Sequence, residues 1–483
     1  MAISLEELPP ELLTSISSYL NKSSNRAFRL SSKALCNAAT RNLFSEVYVH
    51  RNGADSYEGW SNILAQPELA KHVRNVIYNT VQGDIDYEIN NGEVSWDGID
   101  EEQLTNFATF PNLYSADLNF HEQCTSPNND TYAEWPETYE YRAKVLERFF
   151  DALSKKPDIW RLGITNLQNI NPEDLVHSDT FTTVLGHLES LRLHILHEDD
   201  EASPESALWL PETHDFTDAL PSIWLAPTSS NLTSLVLYSS TYIGFCPKLD
   251  LRTIHFPQLR MLALGNYTFT HDWQLDWITS HASTLQNLYL DDCPILYQII
   301  IYSSKDAEGY FLDPKSPDYA QPDGQNVWSY KKRWHDYFDT FRVKLTHLRE
   351  FRIGHGLGWN DPESDGRRRH VSEEYYDLAV GLTSERYIVF DEGIGPSQFT
   401  EYPSSLEGNV GGDRPLPGKK PRCGVDDLMA LRKLLMKTGQ YEPGKEKFSG
   451  CGRVFGLLYE DTARDEPEML DVRDGVDIDD PKD

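Results

Sequence analysis

A recurring leucine pattern limits what this chain can fold into. Leu285-x-x-Leu288-x-Leu290 continues through Cys293 to Ile295, filling the pattern L-x-x-L-x-L-x-x-C-x-I. Leu259-x-x-Leu262-x-Leu264 and Leu232-x-x-Leu235-x-Leu237 repeat its core at intervals of 26 and 27 residues. Looser copies begin at Leu188, Ile159 and Leu113, and Leu348-x-x-Phe351-x-Ile353 is the last. The alternation inside each copy predicts a short strand with its leucines on one face. Ala143 to Lys155, Asp272 to His281 and Tyr330 to Leu345 lie between copies and read as amphipathic helices. A single strand-plus-helix unit cannot bury its own apolar face, so neighbouring units must stack on it. The predicted class is α/β, with an irregular leucine-rich-repeat solenoid over 51–358, a right-handed horseshoe whose strands line the concave side. Its wide gaps hold insertions, and Ser303 to Asn326, rich in Pro, Gly, Asp and Ser, reads as a surface loop.

In that geometry the residues between the leucines point out of the concave face. They include Asp117, Asn119, Arg161, Arg192, His194, Tyr238, Tyr289, Asp291 and Arg352. Tyr and Arg mixed with polar groups have the makeup of a surface that recognises a protein substrate. The plainer reading is that each is an ordinary solvated strand position.

Residues 1–50 follow another pattern. Leu8-Pro9-Pro10-Glu11 opens a helix, because proline in the first turn fixes φ and loses no needed donor. Leu12, Leu13, Ile16, Tyr19 and Leu20 recur at helical spacing. Asn21 to Asn25 is a polar break, with Ser24 or Asn25 placed to cap a second helix containing Phe28, Leu30 and Leu35. Leu43 and Phe44 then lead into a β-prone Val47-Tyr48-Val49. Three short helices in some 45 residues bury little by themselves. Either the downstream body or another polypeptide must cover part of this surface.

The Leu-Pro-x-Glu-Leu-Leu opening, the Ile-x-x-Tyr-Leu that follows, the Phe-Arg-Leu-x-x-Lys and the terminal Leu-Phe resemble, in order and spacing, the F-box motif. The resemblance spans residues 8 to about 49. It departs from the family where Ser24 and Asn25 replace the common acidic-apolar pair and where Ala34-Leu35 replaces a bulky aromatic. It implies an all-α three-helix F-box over 1–50 that docks onto a Skp-type adaptor and, through it, a cullin. Leu8, Pro9, Leu12, Leu13 and Ile16 fall at the family's adaptor-contacting positions. Tyr19, Leu20, Phe28, Leu30 and Leu35 match positions that are part core and part interface. Farther along, Arg386 to Tyr402 and the Leu-Arg-Glu-Phe-Arg-Ile-Gly at 348–354 resemble segments of F-box proteins from filamentous ascomycetes.

Residues 359–459 read as a C-terminal cap of the solenoid. Ser372 to Leu382 and Val425 to Lys437 are predicted helices, and Arg386 to Phe390 a buried strand. Gly408 to Lys420 reads as a loop, and 460–483, dense in Asp and Glu, as a disordered tail. Arg367-Arg368-Arg369-His370 and Lys419-Lys420-Pro421-Arg422 are short basic runs of the kind that can direct nuclear import.

With 76 acidic against 44 basic residues the net charge is −32, which opposes binding to nucleic acid or an anionic membrane. Six scattered cysteines form neither a disulfide framework nor a zinc cage. The N-terminus lacks a signal-peptide pattern, and no stretch approaches the roughly 20 apolar residues of a spanning helix. A soluble chain in the cytoplasm or nucleus, with no cofactor, is the expectation. Gly439 to Glu446 imitates a phosphate loop but has Glu446 where a hydroxyl is needed. His197 to Glu201 reads as an acidic loop, and nothing marks a catalytic site. The sequence thus points to the substrate-recognition subunit of an SCF ubiquitin ligase. The alternative is a scaffold that uses the same adaptor-binding surface outside the ligase.

Overall fold

The computed structural model describes residues 5–51, 54–80, 98–124, 137–198, 208, 210–310, 326–356, 378, 380–393, 398–400 and 418–442. The chain is α/β and divides into two compact units, Met1–Asp199 with Ser222–Val236, and Asp200–Pro221 with Leu237–Asp483. None of the described helices is long and apolar enough to cross a membrane.

The first unit opens with helices α1 (Pro10–Ser18), α2 (Lys22–Ser31) and α3 (Lys33–Leu43). Pro10 stands at the start of α1. Asn21, and neither Ser24 nor Asn25, caps α2 by accepting from the Ser24 amide at 2.8 Å, and Ser32 caps α3. Asn25 is instead buried, and its side-chain amide donates to the Ser17 and Leu20 carbonyls, each at 2.9 Å. The Ser17 carbonyl also accepts the Leu20 amide at 3.1 Å, so Asn25 adds a donor to it and supplies one to the Leu20 carbonyl at the end of α1. Leu13, Leu35 and Ala38 form the small core, with Leu8 and Phe28 against it.

Strand and helix then alternate: β1 (Glu46–His50), α4 (Ala54–Leu64), α5 (Pro67–Ala70), β2 (Asn75–Asn79), α6 (Gly98–Phe107), β3 (Ser115–Asn119), α7 (Tyr139–Ser154), β4 (Arg161–Gln168), α8 (Glu173–Val176), α9 (Asp179–Gly186) and β5 (Ser190–Leu196). β1 to β5 pair in chain order, all parallel. Register stacks the repeat positions on one another: Val47, Val76, Ala116, Leu162 and Leu191 in one row, and Val49, Tyr78, Leu118, Ile164 and Leu193 in the next. All ten are buried. Aromatic packing of Phe150, Phe181 and Trp224 fills the space behind the sheet's connections, with ring centroids 4.9 to 6.1 Å apart.

β6 (Ser234–Ile243) carries the division between the units. The second unit holds α10 (Pro211–Leu220), β7 (Met261–Tyr267), α11 (Asp272–Ser280), β8 (Asn287–Asp291), β9 (Ile295–Ile301), β10 (Asn326–Ser329), α12 (Trp334–Lys344), β11 (Glu350–Gly354), β12 (Tyr387–Asp391), β13 (Phe399–Thr400) and α13 (Gly424–Thr438). Here β7, β8 and β11 are parallel neighbours, again with the leucine positions in register. In this unit β10-β9-β12-β13 make a second sheet of four. That second sheet was not foreseen. β9, buried along its whole length, pairs parallel with β12.

All seven leucine-pattern copies lead into a strand, and the helices predicted over 143–155, 272–281, 330–345 and 425–437 overlap α7, α11, α12 and α13. α13 ends at Gly439, whose φ of 77° is the left-handed conformation that glycine adopts at least cost. A backbone pattern accompanies the leucine spacing. At the start of β2 to β6, β8 and β11, two successive amides donate to one carbonyl just before an earlier strand. Arg74 and Asn75 share Ser45; Tyr114 and Ser115 share Arg74; Trp160 and Arg161 share Tyr114; Glu189 and Ser190 share Trp160. Gln286 with Asn287 and Arg349 with Glu350 do the same on Arg260 and Gln286. Of the helix predicted over Ser372–Leu382, residues 378 and 380–382 are described and are not helical. The basic run 367–370, most of the 303–326 and 408–420 loops, the end of the 439–446 run and the acidic tail lie outside the described residues.

One buried histidine makes the second unit acid-sensitive. His281 accepts the Phe256 amide on Nε2 at 3.2 Å, while its Nδ1 lies 3.0 Å from the Trp277 carbonyl. The ring is therefore satisfied as a neutral Nδ1–H tautomer, and a second proton would face an N–H. Burial, then the stacked His255, push its pKa down to about 4. Because the folded value lies below the unfolded one, this contribution is complete above about pH 6.5 and is lost as pH falls toward 4. Urea titrations at pH 7 and pH 5 are expected to differ by about 1–2 kcal/mol from this residue. His281→Gln should remove that part of the difference; an unchanged pH dependence would contradict the assignment.

Candidate functional site

The sequence marks two regions as functional, and the structure treats them differently. In the three-helix module Leu13 and Leu35 are core, while Leu8, Ile16, Leu20 and Phe28 are half-buried and Pro9 is exposed. Leu12, Tyr19 and Leu30 stand in solvent, 51%, 88% and 84% exposed. Leu5, outside the motif, joins them at 44%. Four of the eleven exposed large apolar side chains among the described residues thus fall within residues 5–30. Apolar side chains kept so wet in so short a segment mark an interaction surface more than a folding requirement.

The second region is corrected. Of the nine residues expected to face solvent between the leucines, Asp117, Arg192, His194, Tyr238, Tyr289 and Asp291 are buried; Asn119, Arg161 and Arg352 are half-buried. Several of them reach sideways to side chains on nearby strands. Asp117 on β3, Gly163 on β4 and Arg192 on β5 are in register. The Arg192 guanidinium crosses Gly163 to meet Asp117 Oδ1 at 2.9 Å. A Cβ at Gly163 would overlap both partners, so glycine is what lets the ion pair span two strand spacings.

The second unit uses the same device. The Tyr238 ring occupies the space a Cβ on Gly265 would take. Its hydroxyl lies 3.5 Å from Asp291 Oδ2, and Asp291 Oδ1 accepts the Gly356 amide at 2.7 Å. Nearby, Glu350 accepts from Tyr289 at 2.9 Å and from Arg352 at 2.6 Å. Asn119 donates to Asn79 at 2.8 Å, and Asn79 meets His50 at 3.3 Å. Burial, with Arg192 and His197 beside it, lowers the His194 pKa to about 3, so the ring is neutral. In the run read as an acidic loop, His197 and Glu198 follow β5 without regular secondary structure and are buried, and 199–201 lie outside the described residues. Strands lie only about 4.8 Å apart, so long side chains beside small ones pair laterally.

A third constellation was not foreseen. His335, Cys423 and Asp427 offer ligand atoms within 4.8 Å of one another. The fully buried Asp427, however, is already saturated. Its Oδ1 accepts the His335 amide at 3.0 Å and lies 2.9 Å from His335 Nδ1. Its Oδ2 accepts the Tyr387 hydroxyl at 2.9 Å and pairs with Arg386 Nε at 3.3 Å. Burial, the largest influence, holds the Cys423 thiol up at about 11, so it is protonated at neutral pH and a poor ligand. The carboxylate ties α12, β12 and α13 together and has no lone pair left for a metal ion. Its signal in the sequence was only an acid in the first turn of a predicted helix.

No family model and no curated protein matches the chain. Its functional reading therefore rests on its own geometry.

Proposed function

We propose that this protein is an F-box substrate receptor of a cullin-type ubiquitin ligase, with an irregular leucine-rich-repeat body. The observation that carries the reading is the solvent exposure of Leu12, Tyr19 and Leu30, at positions matching the F-box pattern, on a module whose own core is only a few side chains. Truncating apolar anchors of this kind typically costs an interface about 2 kcal/mol or more each.

For the body, the support is strand order. β1 to β5 step always to the same side, and β7, β8 and β11 do likewise. Right-handed crossovers then put each connecting helix on the same face, as in a stacked repeat. A doubly wound nucleotide-binding sheet reverses its strand order part-way and binds at the reversal. Recognition of the substrate is assigned to the repeat body, with Asn119, Arg161 and Arg352 the best placed of the expected face, because they keep part of their surface in solvent while the other six are buried. On this reading the chain supplies positioning. A tethered substrate lysine meets activated ubiquitin at high effective concentration, and the partners supply every reacting group.

Co-expression of the full chain with a Skp-type adaptor and a cullin tests the assignment. A complex of the three that survives size exclusion is the expected result. A chain that elutes alone beside free adaptor would overturn it; one that binds the adaptor and excludes the cullin would favour a scaffold outside the ligase.

A further inference from the structure

Residues 12–45 differ from the rest of the chain in charge. They hold no Asp or Glu, but Lys22, Arg26, Arg29, Lys33 and Arg41 are all present, in a chain of net charge −32. The exposed Glu6, Glu7 and Glu11 stand just before this stretch and Glu46 just after it, so the positive surface is that of α2 and α3 and the end of α1. Not all five are available. Arg29 donates to Thr40 at 3.1 Å and lies over the Phe44 ring. Lys22 sits over the Tyr48 ring and 3.6 Å from Glu46. Arg26, Lys33 and Arg41 are exposed and hold no ion pair among the described residues. The positive region extends past α3. His72 is held below its ordinary pKa by partial burial first, and then by Lys71, Arg74 and Arg41, against the opposing Glu68, which pairs with Lys71; Arg41 and Arg74 thus add positive charge beside this ring.

We infer that the partner of this module presents acidic side chains around the site that receives Leu12, Tyr19 and Leu30, and that docking is electrostatically steered. The inference rests on the docking reading above and adds the partner's chemistry to it. Charge complementarity of this kind acts chiefly on the association rate, while the apolar anchors set the dissociation rate. A protein patch suits the charge pattern better than a duplex or a lipid surface. An extended polyanion touching the module would also come within a Debye length, about 8–10 Å, of a strongly acidic body.

The test measures association and dissociation of the full chain with a Skp-type adaptor at about 50 and about 500 mM NaCl. It compares wild type, Arg26→Glu with Lys33→Glu, and the milder Arg26→Gln with Lys33→Gln. At low salt the charge reversal is expected to slow association about tenfold or more, with dissociation changed less than about threefold. The glutamine pair should fall between. High salt should slow the wild type and leave the reversed variant nearly unaffected. Circular dichroism and Tm establish that the variants fold; both positions are exposed. Association that ignores salt and both substitutions overturns this inference and leaves docking standing. No adaptor binding at either salt, by wild type, removes the docking reading itself. Wild-type binding to a single-stranded RNA oligomer or to phosphatidylserine vesicles, lost on charge reversal while adaptor association is unchanged, also overturns it and reassigns the cations.

Discussion

The full chain carrying Leu12→Asp and Leu30→Asp is expected to lose affinity for a Skp-type adaptor by about 100-fold or more while keeping its Tm within about 2 °C. Both halves of that result matter. Leu12 and Leu30 are 51% and 84% exposed, so the folded chain gains little from them, and an aspartate there meets water. In a complex each would be buried, and fully burying a leucine stabilises by about 1.5–3 kcal/mol. A charge in its place adds desolvation to the loss. Leu8 is a poorer probe although it lies in the motif's opening, because it packs on the core of Leu13, Leu35 and Ala38. Isothermal titration and differential scanning calorimetry read the two quantities. Unchanged affinity in a folded variant would remove the docking surface; a collapsed Tm would mean these side chains are sealed against the chain itself.

Asp427→Ala should destabilise the second unit by about 3–5 kcal/mol, the cost typical of breaking a buried ion pair from one side. The alanine leaves the Arg386 guanidinium, 3% exposed, without its carboxylate. It also strips acceptors from the His335 amide and the Tyr387 hydroxyl. Asp427→Asn keeps the shape and one acceptor oxygen but not the charge, so a smaller loss of about 2–3 kcal/mol is expected. Asp426 lies one residue earlier in the same helical turn and is exposed. Asp426→Ala should cost under about 1 kcal/mol, the scale of a helix-dipole contact. Urea unfolding followed by tryptophan fluorescence separates the three. Equal losses at 426 and 427 would mean that helix-end charge, and not the buried network, is what matters.

Much of the strand layout was legible. Leucines at L-x-x-L-x-L spacing located β3 to β8 and β11, because burial of alternate residues leaves a period of two in any strand packed on one face. β1 and β2 carry the same arrangement as Phe44-x-x-Val47-x-Val49 and Val73-x-x-Val76-x-Tyr78. A search for leucine passed over them, although any apolar residue serves the packing. The Ser45 carbonyl before β1 accepts the two amides that open β2, the same hydrogen-bond pattern that opens β3 to β5. The second sheet was not legible, because β9 and β12 pair across more than eighty residues and neither strand records its partner. The helix cap was misread by a few residues at the 21–25 break, where several side chains could accept and backbone geometry selected Asn21.

The candidate sites divide along the same line. From the order of its residues the chain determined where most of its strands and helices form, that its first fifty residues carry apolar side chains with little of their own to bury them in, and that residues 12–45 carry cations and no acid inside an acidic protein. These are local properties, set by spacing and charge along the backbone. Only the tertiary structure decided which of those apolar residues turn inward, as Leu13 and Leu35 do, and which remain wet. It alone revealed that Asp117 and Arg192, 75 residues apart, meet across a glycine. Alternation tells which face of a strand a side chain leaves from. Whether it then meets water or a neighbour depends on strands brought alongside from distant parts of the chain, and that information is in no single segment.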